Sequence, residues 1–492
     1  MTPEPPSPAP PEPPQPAGPS FRRLFHVVTI LFLIFLVVRT LVVEPFGVTT
    51  GSMAETIHGN RREAPCPRCG AAVCVGSPDE SRASQNPQLS AYCWNCGKEK
   101  IDLTQLANGE VMGDRIMVDK LVYKLRDPVR WEVAVFRCPV DSRKPYVKRV
   151  VGLPGEAFRI FDGDAYANGV LLRKTLAQIH EVRIPVFSMI HVANTGGWAE
   201  RWEVGPLAEV ARMPATKPKL PSVADVVQQD RLVLDATETP FGLTYRHRDL
   251  DSKRDSSVRD RLSYNGGPSH RVWLPVHDFI VSFEVEVLAG AGSLALRLDD
   301  GADRVVVDLP IGGGAGRIGP EAGTATEFTL HSALAVGQRH RIEFAFVDRR
   351  IFLTVDGREV LEPLDVPVVP AKLTTDPAGK RLGTERPLQL GVRGVAVVLH
   401  GLTLSRDIHY RSEDEDAVNA TRSPLQLGPK QYFLMGDNSA SSSDSRVWEI
   451  PTVDRSAFLG KPFFVHQPLK HGNVPLFGAV QTLDWHRLRF LE

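Results

Sequence analysis

The sequence predicts a mostly β protein behind one N-terminal membrane helix, and three observations carry that expectation. Short β-branched and aromatic runs recur between Gly, Pro and Asp turns along much of the 492-residue chain. No long helical periodicity competes with them past residue 44. Ahead of them, residues 24–43 are apolar except for His26, Thr29, Arg39 and Thr40, about the ~20 residues a helix needs to cross a bilayer.

Residues 1–20 are dominated by proline, cannot bury enough to offset the entropy of folding, and are expected to form a disordered cytoplasmic tail. The anchor is assigned to 21–43. Arg22 and Arg23 precede its apolar run, which places the N-terminus in the cytoplasm and the rest outside the cytoplasmic membrane. Arg39, near the outer end, can reach the headgroups. A cleavable signal peptide has a similar composition, but VVEPFGVTTGS lacks a small-x-small cleavage site.

Beyond the anchor, DRIMVDKLVY, EVAVFRC, YVKRVVGL and AFRIFDGDAYANGV read as strands. A second β block spans about 270–410. There Val281, Phe283, Val285 and Val287 alternate with Ser282, Glu284 and Glu286, and Asp356-Gly357 divides two strand-like runs as a hairpin turn would. Regular short strands of this kind suggest a jelly-roll or lectin-like β-sandwich, with a glycan or protein as its possible ligand. Lys+Arg and Asp+Glu both number 58, so no global basic field argues for nucleic acid.

Three stretches could do chemistry. Ser52 lies in GVTTGSMAETI, just past the anchor, and alone it is a turn residue. Lys148 lies in PYVKRVVGLPGE among Val147, Val150 and Val151. Facing inward there, its ammonium would be desolvated, its pKa would fall, and it could act as a general base toward a serine. The stretch 433–446, FLMGDNSASSSDSR, offers hydroxyl and carboxamide groups that could orient a neutral amine.

Together and in this order, with GDRIMVDKLVY, EVAVFRCP and the Asn168-Gly169 pair, the three stretches resemble the type I signal peptidases, membrane-bound Ser/Lys proteases. The resemblance covers 21–59, about 109–170 and about 424–465. It implies Ser52 as nucleophile, Lys148 as base, and Thr50 with the Ser52 N–H as oxyanion hole. Met53 matches the apolar neighbour of the serine. Ser442 matches the serine that hydrogen-bonds the lysine, Asp444 and Arg446 its supporting ion pair, and Gly436 and Asp437 the wall beside it. It further implies catalysis without a cofactor, and exported preproteins as substrates with small residues before the cut. Two departures stand out: Glu55 where the family usually has Pro, and Ser439-Ala440-Ser441 where it often has Arg-Asp-Asn.

The pairs Cys66/Cys69 and Cys93/Cys96 each form C-x2-C followed by Gly, the form of zinc-ribbon knuckles. Two disulfides or redox-active thiols compete with a structural zinc. Cys74 and Cys138 are expected to be buried thiols.

The expected organisation is therefore a catalytic core in three parts, 44–59, 109–170 and 424–470, followed by a C-terminal segment at 471–492. A zinc-ribbon insertion at 60–108 and a sandwich-bearing insertion at 171–423 interrupt it. Rival readings are a membrane-tethered glycan- or peptide-binding protein on a degenerate peptidase scaffold, and a Ser/Lys protease with one dedicated substrate.

Overall fold

The computed structural model describes residues 21–77, 89–106, 109–193, 197–207, 220–266, 272–367, 382–474 and 478–491. The tail expected at 1–20 lies outside them. The backbone is helical over Phe21–Leu41 (α1), about 30 Å at ~1.5 Å per residue. Leu24, Phe25, Val27, Val28 and residues 30–35 are each more than half exposed. Over the described residues alone, which omit the side chains at 21, 22, 38 and 40, no helix is both long and apolar enough to cross a membrane. The span expected at 21–43 is thus not identified as such.

The labelled strands are β1 (Val43–Gly47), β2 (Arg61–Pro65), β3 (Ala72–Gly76), β4 (Arg115–Asp119), β5 (Val133–Arg137), β6 (Pro145–Gly152), β7 (Phe279–Asp299), β8 (Leu388–Arg406), β9 (Gln431–Met435) and β10 (Phe458–Gln467). One antiparallel sheet runs β1-β4-β10-β5-β6-β9 and ends on Val453–Asp454. Its middle is covered on both faces: Val133, Ala134, Val135 and Phe136 of β5 are fully buried, as are Val150 and Val151 of β6. VAVF of β5 reads as the continuous apolar run that burial on both faces calls for, whereas VKRVV of β6 carries Lys148 and Arg149 within it.

The run DRIMVDKLVY is not all strand. After β4 the chain turns into a short helix, Val122–Leu125, because the Asp119 carboxylate accepts from the N–H groups of Leu121 and Val122 at 2.7 and 3.2 Å and ends the ladder.

A second, 14-stranded sheet is built around β7 and β8, which pair from Phe279↔Arg406 to Leu298↔Leu388 with three register shifts. Val281, Phe283, Val285 and Val287 are buried while Glu284 between them is exposed. Asp356 and Gly357 both take positive φ, +54° and +76°, as a two-residue hairpin turn between Arg350–Val355 and Arg358–Glu359 requires. The apolar core of this sheet is continuous with the β2–β3 hairpin and the four knuckle cysteines.

Candidate active site

The turn that carries Ser52 follows directly on the end of β1. Leaving β1, Val48 N–H donates to the Asp114 carbonyl at 2.9 Å, and the chain makes a single 3-10 turn over Gly51–Met53. Met53 is fully buried with Val48, Ile57, Ile116, Val118, Val133, Val135 and Val465. That apolar plug ties the turn to the sheet. Ser52 stays half-exposed beside it.

Lys148 is on β6 opposite Ala134 of β5, whose methyl leaves room for the lysine stem. Its Nζ donates to Ser52 Oγ, bringing together two residues 96 positions apart. Lys148 is 3 % exposed. Burial pulls its pKa down to about 8, with Arg446 adding to the fall and the Asp444 and Asp437 carboxylates opposing it.

The loop after β9 closes over this pair. Gly436 has no space for a side chain: a Cβ would lie 2.2 Å from Ser442 Oγ and 2.4 Å from the Ser52 carbonyl oxygen. Its N–H donates to Asp444 at 3.0 Å. Asp444 and Arg446 form a fully buried ion pair at 2.9 and 2.7 Å. Asp437 is held in a bidentate pair by Arg149, the neighbour of Lys148, at 2.8 and 2.7 Å.

Ser442 departs from expectation. Its hydroxyl is buried but makes no hydrogen bond to Lys148 or to any other group among the described residues, because the 3-10 turn Ser439–Ser441 backs Ser442 onto Gly436. Thr50 is exposed at the N-cap of the Ser52 turn, and its hydroxyl does not cap that turn.

Both sequence departures have a local account. Glu55 binds His58 Nε2 at 3.1 Å, and Asp114 takes the His58 N–H at 2.8 Å and both Arg487 Nη groups at 3.0 and 2.6 Å. Burial alone would raise the Glu55 pKa. The His58 hydrogen bond with the charges of His58, Arg487 and Arg61 outweighs it, so Glu55 titrates below the usual range. Ser439 Oγ accepts from Arg446 Nη1 at 2.7 Å and from the Arg411 N–H at 2.8 Å, doing locally what a larger side chain would obstruct.

Sequence reasoning missed Tyr264 and Asn265, and expected the Asn438 carboxamide to orient the amine rather than to brace the turn. Asn438 donates from its N–H to the Ser52 carbonyl at 3.1 Å and from Nδ2 to the Gly51 carbonyl at 3.0 Å. Asn265 completes a reciprocal amide pair with it at 2.8 and 2.7 Å. Tyr264 lies under the turn: a Cβ on Gly51 would stand 1.9 Å from its ring, and its hydroxyl donates to the Asn60 carbonyl at 2.9 Å. Nothing local marks Tyr264 and Asn265, 212 and 213 residues downstream of Ser52.

Replacing Asn265 by Ala leaves the buried Asn438 amide short of a partner, a loss of about 1–2 kcal/mol. The expected result is a roughly tenfold lower kcat with KM little changed, read from steady-state cleavage. An unchanged kcat would show that the turn holds its own shape.

The knuckle cysteines converge. Cys66, Cys69, Cys93 and Cys96 are buried, and their sulfurs all lie within 4.8 Å of one another. Cys66–Cys96 and Cys69–Cys93 are 3.7 and 3.6 Å apart. A tetrahedral centre of four thiolates with Zn–S bonds of ~2.3 Å sets its sulfurs about 3.8 Å apart, so the four fit zinc. All six cysteines are free thiols, Cys138 buried and Cys74 partly so.

Residues 99–204 and 370–467 match the family model "Signal peptidase, peptidase S26". Lys148 and 436–446 fall inside the match and Ser52 outside it. Among curated proteins, the chain is 40% identical over 67 residues to "Probable signal peptidase I-2" of Synechocystis, covering 12% of this chain and 30% of that one. It is 31% identical over 147 residues to "Signal peptidase I" of Rickettsia typhi, covering 30% and 43%. The chain thus spans less than half the length of these relatives. Among solved structures, the carbohydrate-binding module CBM66 of Bacillus subtilis overlaps 35% of this chain and 84% of its own at 13% identity and a TM-score of 0.21, too slight to define a shared fold.

Proposed function

We propose that this protein is a membrane-anchored serine endopeptidase that removes signal peptides from exported preproteins with a Ser52/Lys148 dyad. The observation that carries the proposal is the hydrogen bond from a buried, desolvated Lys148 to Ser52 Oγ. Neutral Lys148 takes the Ser52 proton as Oγ attacks the scissile carbonyl, and then passes it to the leaving amine. Thr50 and the Ser52 N–H hold the oxyanion, a contribution of about 3 kcal/mol per donor in comparable sites. Water activated by the same lysine releases the acyl-enzyme. Ser442 has no step in this sequence.

The anchor belongs to the proposal. The row of exposed apolar side chains on α1 is the surface that lipid would cover, and it would set the nucleophile turn, ten residues past Leu41, close to the bilayer. The cluster of four cysteines belongs to it as a structural zinc site, with no part in the chemistry. The test is cleavage of a preprotein by the full chain, with the product termini mapped.

The pH profile follows from Lys148. Only the neutral amine is a base, and with a pKa of about 8 roughly one tenth is neutral at pH 7 and about half at pH 8. The expected kcat/KM therefore rises close to tenfold per unit below pH 8 and levels off above it. A rate flat between pH 6 and 9 would contradict the assignment.

A further inference from the structure

A cavity of about 460 Å³ opens where the second cysteine knuckle, the strand Ile184–Ser188 and the loop 247–261 meet. Six arginines line it, Arg201, Arg248, Arg254, Arg259, Arg261 and Arg406, against three carboxylates, Glu99, Asp249 and Asp255. The carboxylates are engaged. Glu99 pairs with Arg261 at 2.8 Å, Asp255 with Arg246 and Arg248 at 2.8 and 3.1 Å, and Asp249 accepts from the N–H groups of Asp251 and Ser252 at 2.7 and 2.9 Å.

Four guanidinium groups are left without a carboxylate in ion-pair range among the described residues. Arg254 and Arg259 are exposed on the rim. Arg201 and Arg406 are each 2 % exposed. Arg201 donates from Nη1 to the Asn95 carbonyl and packs on the Phe187 and Trp198 rings, while its Nε has no hydrogen-bond partner among the described residues. Arg406 donates to the Asp407 carbonyl at 2.8 Å. Burial draws its pKa down to about 10, a guanidinium poorly compensated by what surrounds it. His247, on the same wall, is held neutral by burial and by Arg201 and Arg259, so it neither adds to the positive charge nor offsets it.

A buried cation without a counter-charge is costly, and a planar guanidinium fork matches an oxyanion in shape as well as sign. We propose that this cavity is a binding site for a small anionic ligand whose phosphate or carboxylate is clamped by Arg201 and Arg406 at the floor and by Arg254 and Arg259 at the rim. The cavity is large enough for a charged monosaccharide and too small for a folded partner.

The test uses the full chain in detergent and isothermal titration at constant ionic strength, with glucose 6-phosphate, glucuronate and neutral glucose as probes. Saturable binding of the phosphate or the carboxylate sugar is expected, at least tenfold tighter than glucose, and the tighter of the two identifies the group. The R254Q/R259Q double variant, whose side chains make no other ion pair among the described residues, should lose at least tenfold in that affinity while unliganded melting and preprotein cleavage stay as in wild type. Binding no tighter than glucose, or a double variant that binds like wild type, overturns the proposal. R201K, which keeps the charge and loses the fork, should also weaken binding; if it does not, the clamp at the floor is wrong.

Discussion

Ser52→Ala and Lys148→Met should each abolish preprotein cleavage, with kcat/KM falling by about 10⁴ or more, and the double variant should be no worse than either single one, since residues acting as one unit are not additive. The two differ in a second readout. Lys148 is buried, and its pKa is depressed from 10.5 to about 8 by burial, so the folded state at neutral pH carries a charged amine it disfavours. A shift of that size corresponds to about 3 kcal/mol. The sign follows from linkage: with the folded pKa below the unfolded one, the penalty is complete below pH 8 and vanishes as pH rises to 10.5. Methionine fills a similar volume without the charge. Lys148→Met is therefore expected to melt no lower than wild type at pH 6–7, and higher if the penalty is fully relieved, with the difference closing toward pH 10. Ser52→Ala should leave the melting temperature nearly unchanged. Retained cleavage in either variant would remove the dyad; a large loss of stability in Lys148→Met would show that the charged amine is structurally required.

What could be read from the sequence, and what could not, divides along physical lines. Lys148 was legible because a charged residue inside VKRVV is a local contradiction, and strand burial on both faces turns it into a depressed pKa. The paired CxxCG knuckles were legible for a similar reason: Gly70 and Gly97 take positive φ, +75° and +73°, where each chain reverses to present two thiols. The support under the Ser52 turn was not legible. Tyr264 and Asn265 reach Gly51 and Asn438 across more than 170 residues, and no periodicity encodes such a contact. The hydrogen bond expected of Ser442 depended on a loop whose own residues depart from the family pattern. Ser439 serves Arg446, and Ser442 packs on Gly436 instead. Glu55 looked like a plain departure because, besides the nearby His58 and Arg61, it depends on Arg487, which reaches it only in three dimensions.

Emptying the zinc site proposed at the four cysteines should disturb the Ser52 turn, because the hairpin that carries Cys66 and Cys69 also ends beneath it. At the tip, Gly70 N–H donates to the Cys66 carbonyl at 2.9 Å and Cys66 N–H to the Ala71 carbonyl at 2.7 Å. The other knuckle repeats this between Gly97 and Cys93 at 3.0 Å. At the base, Ser263 Oγ accepts from the Cys74 N–H at 3.3 Å and donates to the Cys74 carbonyl at 3.2 Å. A Cβ on Gly76 would meet the Tyr264 ring at 2.2 Å. The Tyr264 ring thus lies between the hairpin and the Ser52 turn. Structural zinc in small cysteine sites contributes about 10 kcal/mol or more to folding, far beyond what a two-stranded hairpin supplies alone. The purified protein should hold about one zinc per chain. Cys96→Ser should lose it, lower the melting temperature by ~5 °C or more, and reduce kcat more than KM, since what is loosened is the turn that carries Ser52. Metal content decides the first step independently of activity: a wild-type chain without zinc, or a zinc-free Cys96→Ser chain that melts like wild type, would mean that the four thiols are held by packing alone.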